Sequence, residues 1–140
     1  MLNKNLIILS VIVSLLCSSS ALAEIKDGLW EITTKVEIKG MPGKMPPSTV
    51  RHCLKKNDPV PKAKDKSTDC KMKDQKISGD TVTYAMECMG KDSVVLTSGK
   101  MTYKGNTFDG TSTTNIKRKG QSDMQMNSKI SGRYIGPCTR

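Results

Sequence analysis

Cys70 and Cys88 stand at equal sequence distance on either side of Gly79, in a Ser78-Gly79-Asp80 turn between two β-like runs. Folding the chain about Gly79 sets Cys70 opposite Cys88, Lys71 opposite Glu87 and Met72 opposite Met86. A disulfide, an ion pair and an apolar contact then share one register. Directly opposed residues of antiparallel strands have Cβ atoms roughly 4.5–5.5 Å apart, near disulfide reach in the closer, non-hydrogen-bonded pairs. The spacing therefore predicts a disulfide-locked hairpin and commits the chain to antiparallel β structure.

A structural disulfide needs an oxidising compartment, and the N-terminus reads as the matching address. Lys4 precedes an apolar run over residues 6–16, followed by Ser18-Ser19-Ser20 and Ala21-Leu22-Ala23. This is the pattern of a secretory signal peptide, residues 1–23, cleaved after Ala23 to leave a single β domain at residues 24–140. The run is too short to stay in a bilayer as a permanent helix, and no later segment is apolar enough to cross one. Cys17 raises lipid attachment as a rival, but Leu16 stands before it where a small residue is expected. The expected location is periplasmic or secreted, with no transmembrane segment.

Cleavage leaves four of the five cysteines, Cys53, Cys70, Cys88 and Cys138. With Cys70–Cys88 assigned to the hairpin, the second bridge is by elimination Cys53–Cys138. No CxxC occurs among them, so redox exchange, zinc-ribbon and CxxCH haem chemistry lose their usual support.

The remaining sequence reads as strands. Residues 28–39 place Trp30, Ile32, Val36 and Ile38 on one parity and Glu31, Lys35, Glu37 and Lys39 on the other, a half-buried strand. Residues 40–47 form a loop whose three prolines cannot donate to a ladder. A short strand at residues 49–54 carries Cys53. Residues 55–69, rich in Lys, Asp and Pro, read as an exposed loop. After the hairpin, Val94 and Leu96 share one parity but Met101 and Tyr103 the other, which predicts a β-bulge across Ser98-Gly99. Gly105-Asn106 is a two-residue turn that sets Tyr103 against Phe108. Residues 107–118 continue as a strand, and Met124, Met126, Ile130 and Tyr134 share a face of the last one. The fold class is all-β, an antiparallel meander of about seven strands forming a small barrel or half-barrel stapled by two disulfides.

Gly28-Leu29-Trp30-Glu31, the Met-Pro-Gly-x-Met-Pro-Pro loop at residues 41–47, the four spaced cysteines and the closing Gly136-Pro137-Cys138 resemble the bacterial exported family called domain of unknown function 3617. The resemblance covers nearly all of residues 24–140. It implies a small exported protein of Gram-negative-type bacteria and carries no activity, substrate or functional residue with it. Gly28-Leu29-Trp30 is also similar to the G-x-W start of lipocalin-type barrels. There the Trp plugs one end under a basic residue of the last strand, a part that falls here to Arg133 stacked on Trp30. This makes Trp30 and Arg133 a candidate ligand surface by analogy.

The basic excess reads either as a solvated surface that aids solubility or as an attraction for an anionic partner. Lys plus Arg number 23 against 13 acids, and the basic groups crowd residues 55–76, with Lys62, Lys64 and Lys66 as candidate contacts and Lys117-Arg118-Lys119 as a second cluster. Outside the cytoplasm such a partner is an anionic envelope component rather than nucleic acid, and an open barrel would admit a small apolar ligand instead. Nothing in the chain calls for a cofactor. Eight methionines remain after cleavage. Most fall where strands need apolar residues, but Met41 and Met45 lie in the loop and, with His52, form the donor set of an alternative copper site. Catalysis lacks a footing. His52 is the only histidine, Cys53 is assigned to a disulfide, and no nucleophile-elbow sequence is present. Glu31 and Glu37 are about 20 Å apart along their strand, too far to act as a pair.

Overall fold

Seven segments carry the alternation strands require, and all seven form them: β1 (Gly28–Ile38), β2 (Ser48–Leu54), β3 (Asp69–Ser78), β4 (Thr81–Met89), β5 (Ser93–Lys104), β6 (Thr107–Arg118) and β7 (Met124–Gly136). The computed structural model describes residues 24–62 and 69–139. The predicted signal peptide and Lys64 and Lys66 lie outside the described residues. The strands form one antiparallel sheet in the order β2-β1-β7-β6-β5-β4-β3. The meander thus returns on itself through β1–β7 and stays open between β2 and β3. Both predicted disulfides, Cys53–Cys138 and Cys70–Cys88, are present.

The sheet curls hard at one end. Trp30 on β1 and Tyr103 on β5 are three strands apart, about 14 Å in a flat sheet, yet their ring centroids are 5.5 Å apart. Trp30 also meets Phe108 at 5.5 Å and Tyr134 at 5.7 Å, and Tyr103 meets Phe108 at 5.0 Å in the predicted cross-strand pair. Around these rings Ile32, Leu54, Val82 and Met101 complete a dry core. Gly132 lets it close: a Cβ there would lie 2.1 Å from Cε1 of Phe108, so the ring lies flat on the β7 backbone.

The hairpin register holds for a reason the sequence count did not contain. The turn has two residues, Gly79-Asp80, closed by the Ser78–Thr81 pair, with Gly79 at a φ of 61°. That placement of glycine matches a type II′ turn. It offsets the register by one, and an extra residue, Lys73, between Met72 and Asp74 restores the Cys70–Cys88, Lys71–Glu87 and Met72–Met86 pairs.

The bulge expected at Ser98-Gly99 is absent. The β4–β5 and β5–β6 registers run unbroken through it, so Val95 and Thr97 face inward while Val94 and Leu96 face outward. Gly99 serves packing instead, because a Cβ there would sit 2.6 Å from the Tyr84 ring.

The loop at residues 55–69 is corrected too. Lys55, Lys56 and Asn57 are exposed, but Pro59 and Val60 are buried. They cover the aromatic end where β2 and β3 leave the sheet open. Tyr103 Oη donates to the Pro59 carbonyl at 2.8 Å, and Gln75 Nε2 on β3 donates to the Asn57 carbonyl at 3.3 Å.

Burial pushes the Tyr103 hydroxyl well above the ordinary tyrosine range, and burial raises Tyr84 as well, opposed by a hydrogen bond to Ser112. A raised folded-state value means the stabilisation is complete below the unfolded value of 10.0 and is lost as pH climbs past it. Denaturant midpoints should therefore be flat near neutrality and fall above about pH 10. Tyr103→Phe should reduce that alkaline slope while costing about 1 kcal/mol at neutral pH, because the Pro59 carbonyl loses its donor.

Candidate binding face

The inner face of the sheet is spent on the core at the aromatic end, which leaves the outer face exposed. Trp30 is fully buried, and its Nε1 donates to the Lys26 carbonyl at 3.1 Å. The Lys26 ammonium stands 5.8 Å from the Tyr134 ring centroid, so the cation over this end comes from ahead of β1. Arg133 does not stack on Trp30. Pairing alternates across the ladder, so Arg133 stands opposite Glu31 while Trp30 stands opposite Tyr134 on the other face. Arg133 Nε and Nη2 donate to Glu31 Oε1 at 2.9 and 2.7 Å, and Arg51 Nε approaches Oε2 at 3.5 Å. The Arg133 hydrogen bond holds the Glu31 carboxyl below its usual range, with Arg51 adding to the effect.

Following the pairs across the outer face gives parallel rows of side chains. One row reads Arg51, Glu31, Arg133, Thr107, Lys104, and the next Thr49, Thr33, Ser131, Asp109, Thr102. The third reads Lys35, Lys129, Thr111, Lys100. In it Lys35 and Lys129 are directly opposed, an arrangement that destabilises a sheet when left uncompensated. Lys100 is two strand spacings from Lys129, about 10 Å. None of the three belongs to an ion pair among the described residues, whereas Lys104 binds Asp109 at 3.2 Å. The row lies along a cleft of about 570 Å³, with Thr33, Thr102, Thr111 and Ser131 supplying hydroxyls. An array of uncompensated ammonium groups and hydroxyls recognises an anion bearing several oxygens.

A second cleft of about 360 Å³ adjoins it and shares Lys35 and Lys129, adding Val36 and the Glu37 carboxylate of β1 and Lys44, Met45 and Pro47 from the β1–β2 loop. Met41 and Met45 are 59% and 51% exposed. His52 is paired with Trp30 on β2, five residues beyond Pro47 and so about 17 Å along the strand. The structure thus keeps His52 apart from the two loop methionines. No group of three or more His, Cys, Asp or Glu side chains is placed to hold a metal among the described residues.

Four lysines of the segment singled out from the sequence are in ion pairs with carboxylates, two of them from outside it. Lys56 binds Glu24, Lys62 binds Asp58 at 2.8 Å, Lys71 binds Asp69 at 3.6 Å and Lys73 binds Glu87 at 3.2 Å. Sequence reasoning missed Lys100 and Lys129 and read Lys35 only as an outward charge. Parity marks all three as outward-facing, but only the β1–β7 pairing brings them into one row.

An antiparallel seven-stranded sheet, open between β2 and β3, stapled by two disulfides and faced with lysine and hydroxyl side chains, defines a small all-β protein. The family described as "Protein of unknown function (DUF3617)" matches residues 25–138, and the chain belongs to that family. No curated protein and no solved structure matches it. Among the described residues no helix is long and apolar enough to cross a membrane.

Proposed function

We propose that the chain is an exported, non-catalytic binding module that meets an anionic component of the cell envelope through the outer face of β1, β7, β6 and β5. The observation that carries the reading is the Lys35, Lys129, Lys100 row beside Thr111, uncompensated and set along a cleft. Export is supported by the signal-peptide pattern of residues 1–23, and two disulfides are compatible with an oxidising compartment. Filling of the aromatic end favours a surface contact over an apolar ligand held inside.

Binding of long-chain polyphosphate, followed by fluorescence anisotropy, tests the reading. Affinity should fall steeply with added salt. The triple variant Lys35→Gln, Lys100→Gln, Lys129→Gln should lose on the order of tenfold or more, since each lysine facing a strongly anionic partner contributes about 1 kcal/mol. A control with the same loss of charge away from this row, Lys91→Gln, Lys117→Gln, Lys119→Gln, should lose less than about threefold. Equal losses in the two variants would reduce the row to general charge and overturn the assignment.

A further inference from the structure

We infer that the anionic partner is a lipid surface, and that the β1–β2 loop inserts Met41 and Met45 among the lipids while the lysines of the sheet face contact their headgroups. This rests on the proposed binding face and adds the chemistry of what it binds.

The loop at residues 40–47 holds two methionines, three prolines and two glycines, flanked by Lys39 and interrupted by Lys44. Both methionines are more than half exposed, and neither belongs to the core. Exposing them to water gives the fold nothing. A soluble polyanion would reward the lysines and leave the methionines wet, whereas a lipid interface rewards both, by the hydrophobic gain of inserted side chains and by attraction to anionic headgroups. The two chemistries lie side by side: Met45, Pro47 and Lys44 line the same cleft as Lys35 and Lys129, and the three ammonium groups of that cleft outnumber its one carboxylate, Glu37. The proline rings fix φ in three of the eight loop positions, so the loop loses less conformational freedom on docking. Methionine is unbranched and adapts to a fluid partner.

The test compares three probes: vesicles of phosphatidylcholine, vesicles of phosphatidylcholine with one-third phosphatidylglycerol, and soluble polyphosphate. The protein should sediment with the phosphatidylglycerol vesicles and stay in solution with phosphatidylcholine alone. Met41→Ser with Met45→Ser should weaken vesicle binding about fivefold or more and leave polyphosphate binding unchanged. Lys35→Gln with Lys129→Gln should weaken both. Vesicle binding untouched by the methionine changes would overturn insertion. Binding to polyphosphate but to neither vesicle would overturn the lipid partner and leave the binding face standing, and binding to none of the three would overturn both.

Discussion

Replacing Cys53 and Cys138 by serine should lower the free energy of unfolding by about 4 to 5 kcal/mol, the chain-entropy value for a loop of this length. The bridge spans 85 residues. It also has a particular place in the sheet. Leu29 on β1 pairs with Cys53 of β2 on one side and Gly136 of β7 on the other, so the disulfide ties β2 to the segment just beyond β7 across the start of β1. β2 is an edge strand held by one partner and this bond. Serine at Cys70 and Cys88, which close only 18 residues, should cost less, about 3 kcal/mol. Urea unfolding of the oxidised wild type and the two double variants, followed by Trp30 fluorescence, measures both. A larger loss from the hairpin bridge than from the long one would contradict the assigned roles.

Trp30→Ala should cost about 3–5 kcal/mol, a large part of the 5–15 kcal/mol typical of a domain's whole stability. The chain has five aromatic residues, and Trp30 contacts three of the others. Its removal leaves a cavity that Phe108 cannot fill, because Phe108 already lies against the Gly132 backbone. Far-ultraviolet circular dichroism in urea reads the change without the indole. A loss below about 1 kcal/mol would show that the curled end is held by the disulfide and ladder rather than by this ring.

Local features of the fold could be read directly from residues. The Gly105-Asn106 turn, the Tyr103–Phe108 pair and the Cys70–Cys88 bridge follow from short-range pattern, since turn chemistry and side-chain period act over a few residues, and Cys53–Cys138 follows only by elimination. The Cys70–Cys88 register came out correctly through two compensating departures, a longer turn and the extra Lys73. The false bulge at Ser98-Gly99 arose because Val94 and Leu96 were assumed to face the core. On this sheet they are outward apolar residues, and the inward positions of β5 at that end are Val95 and Thr97. The binding face was hidden for a different reason. Lys35, Lys129 and Lys100 lie far apart in the chain, and their adjacency depends on β1 pairing with β7, a long-range choice that no local spacing encodes. Of the lysines that cluster in sequence between residues 55 and 76, Lys56, Lys62, Lys71 and Lys73 are each engaged by a carboxylate.

The most direct measurement is a map of amide chemical shifts as isotopically labelled protein is titrated with polyphosphate. The expected result is a contiguous set of perturbed amides on the outer face, centred on Lys35, Lys129, Thr111 and Lys100 and fading toward β3. Perturbation centred on Lys117, Arg118 and Lys119, or on residues 55–62, would contradict the assignment of the sheet face as the binding site.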